Sequence, residues 1–158
     1  MNLAQYVNTG YEALFVALTV PLIAQTIKFT LHLIFDKKID FRLFTTTGGM
    51  PSAHSAFVVG LSTAVGLICG FKSIEFAIAF VNALVVMYDA AGVRRAAGKQ
   101  AACLNRIMED FYKHEIQEIG GRLKELLGHT PHQVFWGAIL GIVYAYYMHK
   151  WFLASAGA

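Results

Sequence analysis

Charged residues are scarce in this chain. Asp, Glu, Lys and Arg together make up 15% of its 158 residues, whereas an average soluble domain carries about 25%. Hydrophobic residues make up 56%, and the mean hydropathy is +0.51. These proportions exclude an ordinary soluble domain and predict an integral membrane protein.

Cysteine is also rare. Cys69 lies in an apolar run and Cys103 in a polar stretch, without the spacing of a metal site or of a disulfide framework. The sequence has no linker rich in Pro, Gly or Ser, no low-complexity tract and no internal repeat. We therefore expect a single membrane-embedded domain over residues 1–158.

Four segments are long and apolar enough to cross a bilayer, which takes about 17–25 residues per helix. They are residues 13–35, 54–71, 73–93 and 133–152. Residues 98–128 mix charges with helical periodicity, broken at Gly120-Gly121, which predicts two amphipathic helices on the membrane surface. This stretch would cap the bundle or form a lid over a site. We predict an all-α, polytopic membrane helical bundle of about four transmembrane helices plus amphipathic interfacial helices.

Basic residues are distributed unevenly around these spans. Three lie between the first and second spans and seven between the third and fourth, whereas the opposite side has only Lys72 and Lys150. The positive-inside rule therefore places both basic connections in the cytoplasm. Residues 48–54, 94–99 and 129–133 would then meet at the cytoplasmic face of the cell membrane and form one site.

Two groups of cations could bind an anion there. Gln25, Lys28 and His32 share one face of the first span, and Lys28 either extends to the membrane interface or points at a phosphate. Arg94 and Arg95 follow the third span within two helical turns of Asp89, with Lys99 close behind. Asp89 balances only one of these charges, and the guanidinium fork suits phosphate oxygens.

Three histidines lie in turn-like sequence at the starts of apolar segments. They are His54, which follows a small-residue turn whose amides could hold an anion, and His129 and His132. One neutral imidazole can attack phosphorus while a second protonates the leaving alkoxide. This chemistry needs no metal, and the chain has no carboxylate cluster that would bind one. A structural role for each histidine is the alternative.

The motifs resemble the divergent branch of the type-2 phosphatidic acid phosphatases, whose superfamily includes bacterial acid phosphatases and vanadium haloperoxidases. The parent Pro-Ser-Gly-His pattern is similar to residues 51–54, and the parent His-x-x-x-Asp-Val-x-x-Gly pattern is similar to residues 129–137. The divergent signature Tyr-Asp-Ala-x-Gly-Val-Arg-Arg-x-Ala-Gly-x-Gln matches residues 88–100. The resemblance covers roughly residues 15–150.

The resemblance implies a role for each matched residue. His129 resembles the nucleophile, with His132 as a competing candidate. His54 resembles the general acid, and Arg94 or Arg95 resembles the phosphate clamp. The candidate phosphate-binding residues are Ser52, Ala53, Lys99, Lys28 and Arg42, with Lys38 as a further candidate for the first motif of the superfamily, which has no faithful match here.

This chain departs from the parent pattern in two respects. The aspartate that orients the nucleophile is Gln133 here, whose amide oxygen can accept a hydrogen bond but carries no charge to stabilise an imidazolium. Asp89 is the candidate to replace it. Arg95 and His129 also lie much farther apart in the sequence than in the parent enzymes, so the fold must bring them together.

The resemblance implies a metal-independent phosphoric monoester hydrolase, without a cofactor or a nucleic-acid partner, that acts on a phosphorylated lipid through a phosphohistidine. Phosphatidylglycerophosphate or phosphatidic acid fits a cytoplasmic site; a polyprenyl pyrophosphate requires the inverted orientation. The alternatives are a non-catalytic protein that binds or transports phosphorylated lipids with the same pocket, and a purely structural bundle. The parent membrane enzymes have six spans, so four indicate a trimmed bundle or a homodimer.

Overall fold

The computed structural model describes residues 3–37, 49–111 and 128–157, and all regular secondary structure within them is helical. The five α-helices are α1 (Gly10–Asp36), α2 (Ala53–Cys69), α3 (Ile74–Tyr88), α4 (Arg94–Phe111) and α5 (Pro131–Ala156). A short 3₁₀ helix (Leu3–Tyr6) precedes α1, and a π-helical turn (Asp89–Val93) joins α3 to α4.

The helices agree with the fold class predicted from hydropathy. Gly10–Phe35 and Ile74–Met108 are each long and apolar enough to cross a membrane. Helix α2 is a shorter apolar helix of 17 residues, and α5 has 26 residues. The prediction of an all-helical membrane bundle is confirmed, with α1, α2, α3 and α5 at the positions of the four expected spans.

The end of the third span differs from the prediction. We expected the third span to end at residue 93, but the chain stays helical from Ile74 through the π-helical turn to Phe111. No proline interrupts this stretch, and the π-helical turn accommodates the junction without a break. Helix α4 therefore supplies the first part of the expected amphipathic region, whereas residues 112–127, with the predicted break at Gly120-Gly121, lie outside the described residues.

Helices α2 and α5 lie in parallel and in close contact. The Ser52 N–H donates to the Gln133 carbonyl oxygen at 3.0 Å, which aligns the starts of the two helices. A Cβ on Gly141 would lie 2.7 Å from the Gly60 nitrogen, and a Cβ on Gly137 would clash with the Ser52 carbonyl. Small residues at every fourth position thus let the two backbones meet, as is common in membrane helix pairs.

Helices α1 and α3 lie antiparallel to this pair. Val20 and Ala24 of α1 pack in one buried cluster with Ala56 of α2, and Lys28 of α1 contacts Gly49, just before α2. Just after α3, in the π-helical turn, the Ala90 carbonyl accepts a hydrogen bond from the N–H of His129, two residues before α5. Sequence segments that lie far apart therefore meet at one end of the bundle.

A polar contact joins α1 to α5 at the opposite end. Glu12 is fully buried, and its Oε1 lies 2.7 Å from Nδ1 of His149. Its other oxygen accepts the Asn8 N–H at 2.8 Å. Buried polar contacts thus stabilise both ends of the bundle. The contacts of Glu12 matter because an unpaired carboxylate buried in a membrane protein would be costly.

The glycine contact between α2 and α5 predicts a stability effect. Gly141→Ala should destabilise the protein by about 1–3 kcal/mol, because the added methyl group meets backbone atoms that cannot move aside. Gly10→Ala is the matched control, since a Cβ there meets nothing within 4 Å. Thermal unfolding in detergent, followed by circular dichroism, measures both. Equal midpoints for the two variants would contradict the close packing.

Candidate functional site

Two capped helix starts form the framework of the site. Ser52 precedes α2, is fully buried, and its Oγ accepts the Ser55 N–H at 3.3 Å. Thr130 precedes α5, where Thr130 Oγ1 accepts the Gln133 N–H at 3.4 Å and Gln133 Oε1 accepts the Thr130 N–H at 2.9 Å. Pro131 occupies the first turn of α5, where a missing N–H costs nothing. The sequence therefore fixes where both helices begin.

His54 and His129 lie next to these caps and come together; we call them the histidine pair. His54 is in the first turn of α2, and His129 immediately precedes the Thr130 cap. Their ring centroids are 5.7 Å apart, with an interplanar angle of 74°. His129 is only 3% exposed, whereas His54 is half-buried. Two imidazoles at this separation can share one small anionic group.

The π-helical turn contacts the histidine pair through the backbone. The His129 N–H donates to the Ala90 carbonyl oxygen at 2.9 Å. Asp89, the residue before Ala90, is half-buried in the same turn. Such π-helical turns are frequent at functional sites. The fold thus places the start of the predicted signature, residues 88–100, against His129.

Lys28 is buried at the same end of the bundle. It is only 6% exposed, and a Cβ on Gly49 would lie 2.9 Å from its Cδ. Gly49 has φ +81°, a conformation that favours glycine. The Lys28 side chain therefore packs on the glycine turn that leads into α2, instead of extending along the membrane surface. Its charge and the amino-terminal ends of α2 and α5 make this end of the bundle attractive to an anion.

The other predicted site residues lie in varied positions. Ala53 is the first residue of α2, and Arg94, of which only the backbone is described, begins α4. Arg95 and Lys99 are exposed on α4, and His132 is exposed on the first turn of α5. Arg42 and Lys38 lie outside the described residues. The structure thus brings His54, His129, Ser52 and Gln133 together, with Asp89 beside them.

Two features of the site were not anticipated from the sequence. The first is that the hydroxyl of Ser52 and the amide of Gln133 both act in helix caps. The sequence does contain the corresponding signals, Ser-x-x-Ser and Thr-x-x-Gln, from which these caps could have been predicted. The contact of Ala90 with His129 has no local sequence signal, because the two residues are far apart in the chain. In the described part of the chain, no three His, Cys, Asp or Glu side chains form a group that could hold a metal ion.

The fold and the histidine pair define a polytopic helical membrane protein with a polar site at one end of its bundle. The chain belongs to the divergent PAP2 family, whose sequence profile matches residues 10–144. It is 45% identical over 130 residues to an uncharacterized membrane protein of Bacillus subtilis (strain 168), YuiD, covering 76% of this chain and 82% of that relative. No solved structure matches the chain significantly. The predicted family is confirmed, and the chain is a phosphatase-related membrane protein.

The cap that begins α5, directly after His129, predicts a stability effect. Thr130→Val should destabilise the protein by about 1 kcal/mol, because α5 loses its capping box. Thr26→Val is the matched control, since the Thr26 hydroxyl donates to the Leu22 carbonyl of its own helix and caps no helix start. Thermal unfolding compares the two. An unchanged midpoint for Thr130→Val would show that the cap does not stabilise the start of α5.

Proposed function

We propose that this chain is a lipid-phosphate phosphatase that acts through a phosphohistidine intermediate. The observation that carries the proposal is the buried His129 beside His54, 5.7 Å between ring centroids, at the junction of two helix starts. Family membership supports it, since residues 10–144 match phosphatase-related membrane proteins. The amino-terminal ends of two helices and a buried lysine suit a phosphate group there.

The reaction follows from the two imidazoles. His129 attacks phosphorus, and the bond from phosphorus to the ester oxygen breaks as the new bond to nitrogen forms. His54 gives its proton to the leaving alkoxide. In the second step, His54 takes a proton from water, the water oxygen attacks phosphorus, and inorganic phosphate leaves His129. The buried setting of His129 keeps bulk water away from the first step.

The phosphate oxygens need donors around this pair. Lys28 and the backbone N–H groups at Ala53 lie at the same end of the bundle. Arg94 or Arg95 completes the clamp in the proposed complex, with Lys99 and Arg42 as further cations. These groups would stabilise charge that shifts onto the phosphate oxygens in the transition state.

The distribution of basic residues favours a site on the cytoplasmic side. Phosphatidylglycerophosphate and phosphatidic acid present their phosphates there, and we propose one of them as the substrate. The reverse orientation would favour a polyprenyl pyrophosphate with an outward-facing head group.

One observation favours a second function, non-catalytic binding or transport of phosphorylated lipids. The position that holds an orienting aspartate in the parent pattern is Gln133, and its amide oxygen accepts the Thr130 N–H within the helix cap. A neutral amide in a cap stabilises a histidine cation poorly. The site would then still bind phosphate but would not hydrolyse the phosphate ester.

The proposal predicts which histidines are essential. His129→Ala and His54→Ala should each abolish phosphate release from phosphatidylglycerophosphate, phosphatidic acid or undecaprenyl pyrophosphate while the protein stays folded. His132→Ala is the matched control and should retain activity, because His132 is exposed on the first turn of α5. Purified protein in detergent, assayed without added metal, gives the rates.

The three variants separate the mechanisms. Normal release by folded His129→Ala would overturn the proposed nucleophile, and loss of activity in His132→Ala alone would transfer that role to His132. Absence of release from all three lipids, together with saturable lipid binding, would favour the non-catalytic function.

The proposal also predicts a role for the carboxylate in the π-helical turn. Asp89→Asn should lower kcat roughly tenfold to a hundredfold with little change in KM, because the charge that stabilises the His129 cation is lost. Glu75→Gln is the control, since Glu75 is an exposed acid in the first turn of α3. Equal kcat values for the two variants would exclude Asp89 from this role.

A further inference from the structure

An apolar groove of about 300 Å³ lies between α1 and α5. Its lining includes Ile27 and Leu31 of α1, Met50 and Pro51 of the turn before α2, and Trp136 and Val143 of α5. Every residue that lines it is apolar. Trp136 and Val143 are about half exposed, 51% and 46%, although they lie on a helix of the membrane bundle. The open side of the groove therefore faces the hydrocarbon of the bilayer.

Two residues that line the groove are next in sequence to residues at the polar end of the bundle. Pro51 lines the groove, and the next residue, Ser52, caps α2 and precedes the histidine pair. On α1, Ile27 lines the groove and the following residue, Lys28, packs on Gly49. A molecule with one anionic end and one apolar end can therefore occupy both regions at once. The charge of Lys28 fits the anionic end, and the uncharged groove fits the apolar end.

We propose that this groove holds one hydrocarbon chain of a phosphorylated lipid whose phosphate lies beside Lys28 and the histidine pair. The inference rests on the proposed function for the position of the phosphate. A volume near 300 Å³ is at the small end of ligand pockets, so it takes part of a single chain. The second chain of a diacyl lipid stays in the bilayer.

The groove contributes position more than affinity. Lipid chains are as apolar as the groove, so moving a chain from the bilayer into it gains little hydrophobic free energy. Packing against Trp136 and Pro51 instead fixes the depth of the chain, and so the height of its phosphate relative to His54. Such positioning is how contacts remote from the reacting group favour a reaction.

Tryptophan fluorescence tests the groove without relying on catalysis. The chain has two tryptophans, so Trp151→Phe leaves only Trp136, in the groove. Phosphatidic acid with a brominated acyl chain, added at low mole fraction to phosphatidylcholine nanodiscs, should quench Trp136 saturably. Unlabelled phosphatidic acid should reverse the quenching, and added phosphatidylcholine should not. The proposal would be overturned if quenching rose linearly with the concentration of brominated lipid and if brominated phosphatidylcholine quenched Trp136 as strongly as brominated phosphatidic acid.

A matched pair of substitutions tests the same groove. Val143→Phe fills it, whereas Ile142→Phe adds the same ring at a neighbouring position that is 49% exposed and does not line it. Val143→Phe should remove most of the saturable quenching, because the brominated chain can no longer lie beside Trp136, and Ile142→Phe should leave the quenching unchanged. Equal quenching in the two variants would overturn the proposed groove.

The two proposals can fail separately. Saturable quenching that is sensitive to Val143→Phe, without phosphate release, would support the groove and overturn the phosphatase. Release that depends on His129 but proceeds at the same rate in Val143→Phe and Ile142→Phe, on a long-chain lipid, would support the phosphatase and overturn the groove.

Discussion

The close parallel contact of α2 and α5 determines the rest of this structure. Gly141 leaves no room for a Cβ against the backbone of α2 at Gly60, and the Ser52 N–H reaches the Gln133 carbonyl at the common end of the two helices. Because both helices start at the same level, His54, two residues after the Ser52 cap, and His129, immediately before the Thr130 cap, lie next to each other. The histidine pair is therefore a product of helix register and needs no long loop to assemble it.

The polar end of the bundle is costly in a membrane, and the fold offsets this cost locally. The starts of α2 and α5 each have a side-chain cap, which satisfies amides that would otherwise lie unbonded near the hydrocarbon. Lys28 is only 6% exposed, and its aliphatic stem packs on Gly49, where a larger residue would collide with it. Ionisable residues placed in this way within a membrane bundle generally serve a function.

Hydropathy was sufficient to predict the four main helices, since the spans follow from run length alone. Position at a helix start singled out His54, His129 and His132 alike, and only the family resemblance assigned roles to His54 and His129. The continuous helix from Ile74 to Phe111 could not be predicted, because charge and glycine at residues 92–99 are typical of a helix end. The contact of Ala90 with His129 depends on tertiary packing, which no local pattern encodes.

Two backbone features fix the main chain at His129, where the parent aspartate is replaced by Gln133. Its N–H donates to Ala90 in the π-helical turn, and the next residue, Thr130, caps α5. In the parent pattern a carboxylate orients the nucleophile through its side chain; the contacts here fix the main chain of His129, from which the ring projects. Because Ala90 sits at the joint between α3 and α4, any change in that joint moves the partner of the His129 N–H. The backbone position of His129, the proposed nucleophile, is thus coupled to the helix that carries the arginines.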